Sequence, residues 1–205
     1  MNKKILWIGG GVVLFGLVVW MASSIALETP PDPTIGFGTV TIEGDALLVV
    51  QDVNQGDPAV GFTAPSVSGA DWNGVPASIT ADGRPKVVIF LAHWCPHCQA
   101  EVPDIQAWLD AGNAPDDVDL YAVTILSDPL RPEWPPQEWL ESEGWSVQTI
   151  MDDEAQSVAR VYGALGTPFY LVLDGSNTNL LRRSGRQGIG ALEAMIEIAR
   201  ASIAG

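Results

Sequence analysis

Cysteine and histidine are nearly missing from this 205-residue chain, which has two of each. Two cysteines allow one intramolecular disulfide, so a multiply stapled scaffold is excluded. A structural zinc site usually joins ligand pairs a dozen or more residues apart. Here all four donors lie in His93–Cys98, HWCPHC. They would have to converge from six consecutive residues, which argues against a stable metal centre. Transient copper or zinc chelation by Cys95, His97 and Cys98 is the weaker alternative. Basic residues are also scarce, with ten Lys and Arg against 25 Asp and Glu. Nucleic acid, whose phosphates call for clustered basic side chains, is not an expected partner. No internal repeat or low-complexity tract stands out.

One long apolar run is present. Lys3 and Lys4 precede Ile5–Leu27, 23 residues without a charge. As a helix rising about 1.5 Å per residue they would reach roughly 34 Å, enough for a hydrocarbon core of about 30 Å. The lysines on one side and Glu28 on the other predict a cytoplasmic N-terminus and an extracytoplasmic remainder. Ser24-Ile25-Ala26 also offers the small residues of a processing site, although a secretory apolar region usually runs about 7–15 residues. Beyond residue 27 the 25 acids face eight bases, a formal charge of −17. That charge describes a well-solvated surface.

Residues 1–4 are thus a cytoplasmic tip, 5–27 a transmembrane anchor, 28–55 a linker and 56–205 one domain with a sizeable core. In the linker, TPPDPTIGFG reads as a Pro/Gly spacer, and TVTIEGDALLVVQD as a β-hairpin turning at Glu43-Gly44-Asp45. Within the domain, Lys86–Ala92 is apolar without alternation and predicts a buried strand. A helix follows HWCPHC and ends near Gly112. Val118–Leu126 and Val147–Met151 predict strands, while 135–144 and 153–162 predict helices. Residues 169–174 and the NLLRRS run predict a hairpin, and 188–203 an amphipathic helix with Ile189, Leu192, Ile196 and Ala199 on one stripe. Together these give an α/β domain: a mixed sheet with helices on both faces.

HWCPHC lies where the first buried strand meets the first helix. Pro96 suits the first helical position, where a missing N–H costs nothing. Cys95 then meets unpaired backbone N–H groups and the positive end of the helix, both of which favour a nucleophilic thiolate. Cys98 lies one turn further in, within disulfide reach but more shielded. The pair therefore reads as an exposed attacking sulfur and a resolving one. A disulfide closing so short a ring would stabilise little, so a redox role is favoured over a structural one. His97, between the sulfurs, would stabilise the thiolate and make the disulfide a better oxidant. His93, beyond Trp94, reads as background.

A strand running into W-C-P-x-C, a helix, and a later G-T-P before a strand resemble the thioredoxin superfamily. The scaffold is similar to its membrane-anchored, extracytoplasmic thiol–disulfide oxidoreductases of the TlpA/ResA type. The resemblance spans about Gly56–Ala204, through VGFTAP, KVVIFLAHWCPHCQAEVP and VYGALGTPFYLVLD. It implies a thioredoxin-like fold, with Cys95 attacking and Cys98 resolving. It implies Pro103 as a kink in the active-site helix, Pro168 as a cis-proline beside the disulfide, and Trp94 and Thr167 as substrate contacts. Thr167 would offer its backbone to an extended peptide. Glu101, in Cys-x-x-Glu-x-Pro, is implied as the acid that relays the Cys98 proton. The plain reading of Glu101 is a surface acid in the first turns of a helix. Thioredoxins carry a buried acid in the preceding strand, where this chain has Ile89.

No cofactor is expected beyond the Cys95–Cys98 disulfide itself. The expected partners are extracytoplasmic thiol or disulfide proteins and a membrane protein that recycles the pair. Many relatives of this scaffold are reductants, some serving cytochrome c maturation, whereas Cys-Pro-His-Cys resembles the dipeptide of DsbA-type oxidants. His97 inclines the reading towards oxidation, with reductase, metal delivery and a redox-inactive binding module as alternatives. Pro129–Trp139, with four prolines and two tryptophans, either borders the site or packs its rings on the core.

Overall fold

In this computed structural model, residues 35–204 are described; the anchor expected at 5–27 lies outside them. No helix among the described residues is long and apolar enough to cross a membrane. The run Lys86–Leu91 (β4) is buried at all six positions. Alternate side chains of a strand leave by opposite faces, and here both faces are covered. Val88 and Phe90 enter one apolar cluster, while Val87, Ile89 and Leu91 enter the other.

β4 is the centre of a five-stranded sheet ordered β6-β5-β4-β7-β8. Asp119–Thr124 (β5) runs parallel to it, and Gln148–Met151 (β6) parallel to β5. Phe169–Leu173 (β7) is antiparallel to β4, and Asn179–Ser184 (β8) antiparallel to β7. One face packs Pro96–Trp108 (α1), Pro136–Ser142 (α2) and Ile189–Ala201 (α4). The other packs Ser157–Tyr162 (α3) together with a small sheet of Thr41–Glu43 (β1), Ser66–Ala70 (β2) and Pro76–Ile79 (β3). The expected mixed sheet with helices on both faces is present. Leu192, Ile196 and Ala199 are buried along α4, with Met195 beside them and Ile189 half-covered.

Three local expectations are corrected. The hairpin at Glu43-Gly44-Asp45 does not form: β1 pairs antiparallel with β2 instead. A lone two-stranded hairpin is marginal in water, whereas β1 adds to the β2–β3 hairpin, and the chain then leaves the sheet at Gly44 (φ 106°). Leu47 is buried and its N–H donates to the Val161 carbonyl at 2.8 Å. The run expected to form the hairpin is therefore packed on the domain. The β2–β3 hairpin itself was not expected. Its turn is built by Asp71, whose Oδ1 accepts from the N–H groups of Asn73 and Val75, both at 2.8 Å. Finally, α3 begins at Ser157 rather than Asp153. Asp152 accepts from the N–H groups of Asp153, Val158 and Ala159, and Asp153 from Ser157. These carboxylates cap the helix, so they precede it.

Gly38 shows how closely the N-terminal segment lies on this sheet. Its N–H donates to the Asp152 carbonyl at 2.9 Å, and a Cβ there would stand 2.3 Å from the Met151 carbonyl oxygen. Gly38→Ala is expected to destabilise the fold by about 1–3 kcal/mol through overpacking. A urea midpoint unchanged from wild type would show that the segment yields freely.

Candidate active site

β4 ends at Leu91, and the Cys95 N–H closes a turn on the Ala92 carbonyl at 3.0 Å. Cys95 is the N-cap of α1 and Pro96 its first helical residue, as the spacing predicts. Both cysteines are free thiols. Cys95 retains 5% exposure and Cys98 none, which corrects the expectation of an openly exposed attacking sulfur. Cys95 is the sulfur nearer solvent, but it too is buried. Its Sγ donates to the Thr167 carbonyl at 3.3 Å. The Thr167–Pro168 bond is cis, and Thr167 is half-buried at the rim.

Burial pushes the Cys98 thiol well above its ordinary range, and the charge and hydrogen bonding of neighbouring Cys95 push the same way. A thiol so held needs a proton acceptor before it can react as a thiolate. Glu101 is the buried acid on its helix, three residues on, and it is 1% exposed. Its Oε1 accepts from the N–H groups of Gln187 and Gly188, at 2.8 and 2.7 Å. These are backbone donors at the start of α4, a favourable place for a carboxylate. Its Oε2 is buried with no hydrogen-bond partner. Pro103 lies inside α1, two residues further on. Ile89 is buried beneath the site and faces Tyr170 across the sheet. Tyr170 is a residue that the sequence reading missed, for its place in FYLVL marks it only as core.

Trp94 is half-buried, its indole N–H donating to the Leu126 carbonyl at 2.7 Å, with the Arg131 guanidinium 4.5 Å above its ring. Leu126 holds a left-handed backbone (φ 53°) two residues beyond β5, a conformation that costs a non-glycine residue energy and gathers at functional sites. His97 is exposed on the first turn of α1. His93 is buried and ties down the insert: its Nε2 accepts from the Asp128 N–H at 3.2 Å, so Nδ1 donates to the Pro132 carbonyl at 2.6 Å. Burial lowers its pKa, in keeping with that neutral tautomer. Both ring nitrogens are engaged, so His93 has none to give a metal alongside the sulfurs. The insert combines the two alternatives. Trp139 is core, while Arg131 brings the loop to Trp94 and the edge of the site.

Residues 55–184 match the AhpC/TSA family. The chain belongs to that family. No curated protein matches it. Among solved structures this AhpC/TSA chain is similar to a putative thiol:disulfide interchange protein DsbE from Chlorobium tepidum, at 20% identity and a TM-score of 0.56, over 70% of this chain and 97% of that one. It is also similar to StoA from Bacillus subtilis, at 20% and 0.54, over 68% and 99%. A putative thioredoxin from Neisseria meningitidis gives 22% and 0.55, over 67% and 89%. At such identities the likeness shows the fold, which is thioredoxin-like. The AhpC/TSA family is a thiol-based redox family of the peroxiredoxin and thioredoxin type, and this member is an enzyme of that type.

Proposed function

We propose that this chain is a membrane-tethered thiol–disulfide oxidoreductase of the TlpA/ResA type, which forms disulfides in extracytoplasmic proteins through Cys95 and Cys98. The observation that carries the proposal is the Cys95 Sγ at the helix N-terminus, 3.3 Å from the Thr167 carbonyl beside cis-Pro168, with Cys98 shielded behind it. In the oxidising direction, a substrate thiolate attacks the Cys95 sulfur of the Cys95–Cys98 disulfide. Cys98 leaves as a thiolate and takes up a proton. The second substrate thiolate then attacks the mixed disulfide, and Cys95 leaves. Two electrons and two protons end on this protein. Its disulfide is the only redox group required.

An extended substrate would run past Thr167, whose carbonyl is free to pair once Cys95 is oxidised, with Trp94 flooring the approach. His97 stands on the exposed rim of the first turn. A charged or hydrogen-bonding imidazole there stabilises a Cys95 thiolate, favours the dithiol form and so makes the disulfide more oxidising. Residues 5–27 would hold the domain outside the cytoplasmic membrane, where a membrane partner reoxidises it.

The direction is read from the resting state of the pair in cells and its reduction potential. An oxidant is expected to be trapped mostly as the disulfide, with a potential towards about −120 mV. A pair found mostly reduced, towards about −270 mV, reverses the assignment to reductase.

A further inference from the structure

Two buried polar groups near Cys98 have no hydrogen-bond partner: Glu101 Oε2 and the Tyr170 hydroxyl. Buried polar atoms are usually satisfied, and one left alone costs stability. Two together, beside a thiol that must lose a proton, have a functional explanation. Tyr170 is 1% exposed and packs in the same apolar cluster as Cys95 and Cys98. It lies across from Ile89 on β4, so it occupies the floor of the site. Glu101 is drawn towards α4 by the Gln187 and Gly188 N–H groups, which leaves only Oε2 to serve the sulfurs. The charged and titratable groups facing the Tyr170 hydroxyl are Cys98 and Glu101 from α1 and Arg186 from the loop before α4. Arg186 is itself engaged with Asp104 and the Ala100 carbonyl.

We propose that Tyr170 is the proton relay of the exchange reaction, its hydroxyl closing between Cys98 and Glu101 Oε2 as the thiol reacts. This rests on the reading of Cys95 and Cys98 as the exchange pair. When Cys98 attacks a mixed disulfide at Cys95, the thiol proton passes to the hydroxyl oxygen while the hydroxyl proton passes to Oε2. The new S–S bond joins Cys98 to Cys95, and the bound partner leaves as a thiolate. Tyr170 is neutral before and after. Burial, and then the charge of Glu101, hold its phenol far above its ordinary range, so it passes a proton on rather than giving one up.

The two sulfurs can be timed separately with 5,5′-dithiobis-(2-nitrobenzoate) on the reduced full chain. Attack by Cys95 releases the first thionitrobenzoate, and attack by Cys98 releases the second. Tyr170→Phe keeps the buried ring and removes only the hydroxyl, so the fold should persist, which a thermal melt checks. The first phase should be unchanged. The second should slow by roughly 10- to 100-fold, at or below what a positioned general base contributes, and its pH profile should move to higher pH. Glu101→Gln should slow the same phase, and the double variant should be no slower than the slower single variant, because the two groups act in series. A wild-type second phase in Tyr170→Phe overturns the relay, as does a double variant whose slowing is the product of the singles. A wild-type protein that never releases the second thionitrobenzoate overturns the exchange pair, and the relay with it.

Discussion

Cys98→Ser is expected to accumulate covalent complexes through Cys95, and Cys95→Ser to bring exchange close to background. The two variants should differ because the fold treats the two sulfurs differently. Cys95 is the one with residual exposure, at a helix N-terminus and beside the Thr167 carbonyl. Cys98 is fully buried, and burial has raised its thiol far from the thiolate form. Each unit by which a thiol's pKa exceeds the ambient pH lowers its thiolate fraction tenfold, so Cys98 without Cys95 should react roughly a hundredfold or more slowly with an outside disulfide. With Cys95 present and Cys98 replaced, the mixed disulfide forms but has no internal escape, since a serine hydroxyl is a poor substitute for a thiolate. Non-reducing gels after alkylation should show high-mass, reductant-sensitive species in Cys98→Ser alone. Equal yields from both single variants would mean that the sulfurs are interchangeable, and the assignment of attacker and resolver would fall. The same asymmetry sets a pH dependence. The resolving step in wild type should accelerate as pH rises, because its nucleophile lies above its ordinary range.

Much of this site was legible as sequence because its parts are consecutive. Pro96 can begin a helix and Cys95 must then cap it, and Glu101 follows one turn after Cys98. The resemblance through Gly166-Thr167-Pro168 added the distant loop, and the cis bond is where it implied. Tyr170 escaped because periodicity reports burial and says nothing of a hydroxyl at the end of a buried ring. Its significance lies in a missing partner, which only three dimensions reveal. His93 reads as background in the sequence, because its grip on Asp128 and Pro132 joins residues 35 and 39 positions apart. The β2–β3 hairpin had a legible signal in Asn73-Gly74, a strong turn pair, although PASI is too short and mixed to read as a strand alone. β1 was misassigned its partner because alternation tells which residues pair, not with what.

The largest stability effect is expected away from the sulfurs, at Asp57. Arg182 is fully buried, and its guanidinium donates to Asp57 Oδ2 at 2.9 Å and Oδ1 at 2.5 Å, to the Tyr162 carbonyl at 2.9 Å and to the Leu48 carbonyl at 2.8 Å. Asp57 also accepts from Asn179 and from the Ala59 N–H. One ion pair thus fastens β8, the end of α3 and the N-terminal segment together. Asp57→Ala would leave a buried guanidinium with only neutral partners, a loss of about 3–5 kcal/mol. Replacing both members by apolar residues should cost less than that single change, since no charge is then stranded. Burial raises the Asp57 carboxyl, but the hydrogen bonds from Arg182, Asn179 and Ala59 outweigh it and leave it below its ordinary value. A carboxyl depressed in the folded state stabilises above its unfolded pKa of about 3.9 and loses that contribution as pH falls through the lower folded value. Urea midpoints should therefore separate wild type from Asp57→Ala widely near neutrality and converge in acid. A gap that stayed constant on acidification would remove the ion pair as its cause. The two-phase thionitrobenzoate release should be unchanged wherever the variant is folded, because none of these groups touches the sulfurs.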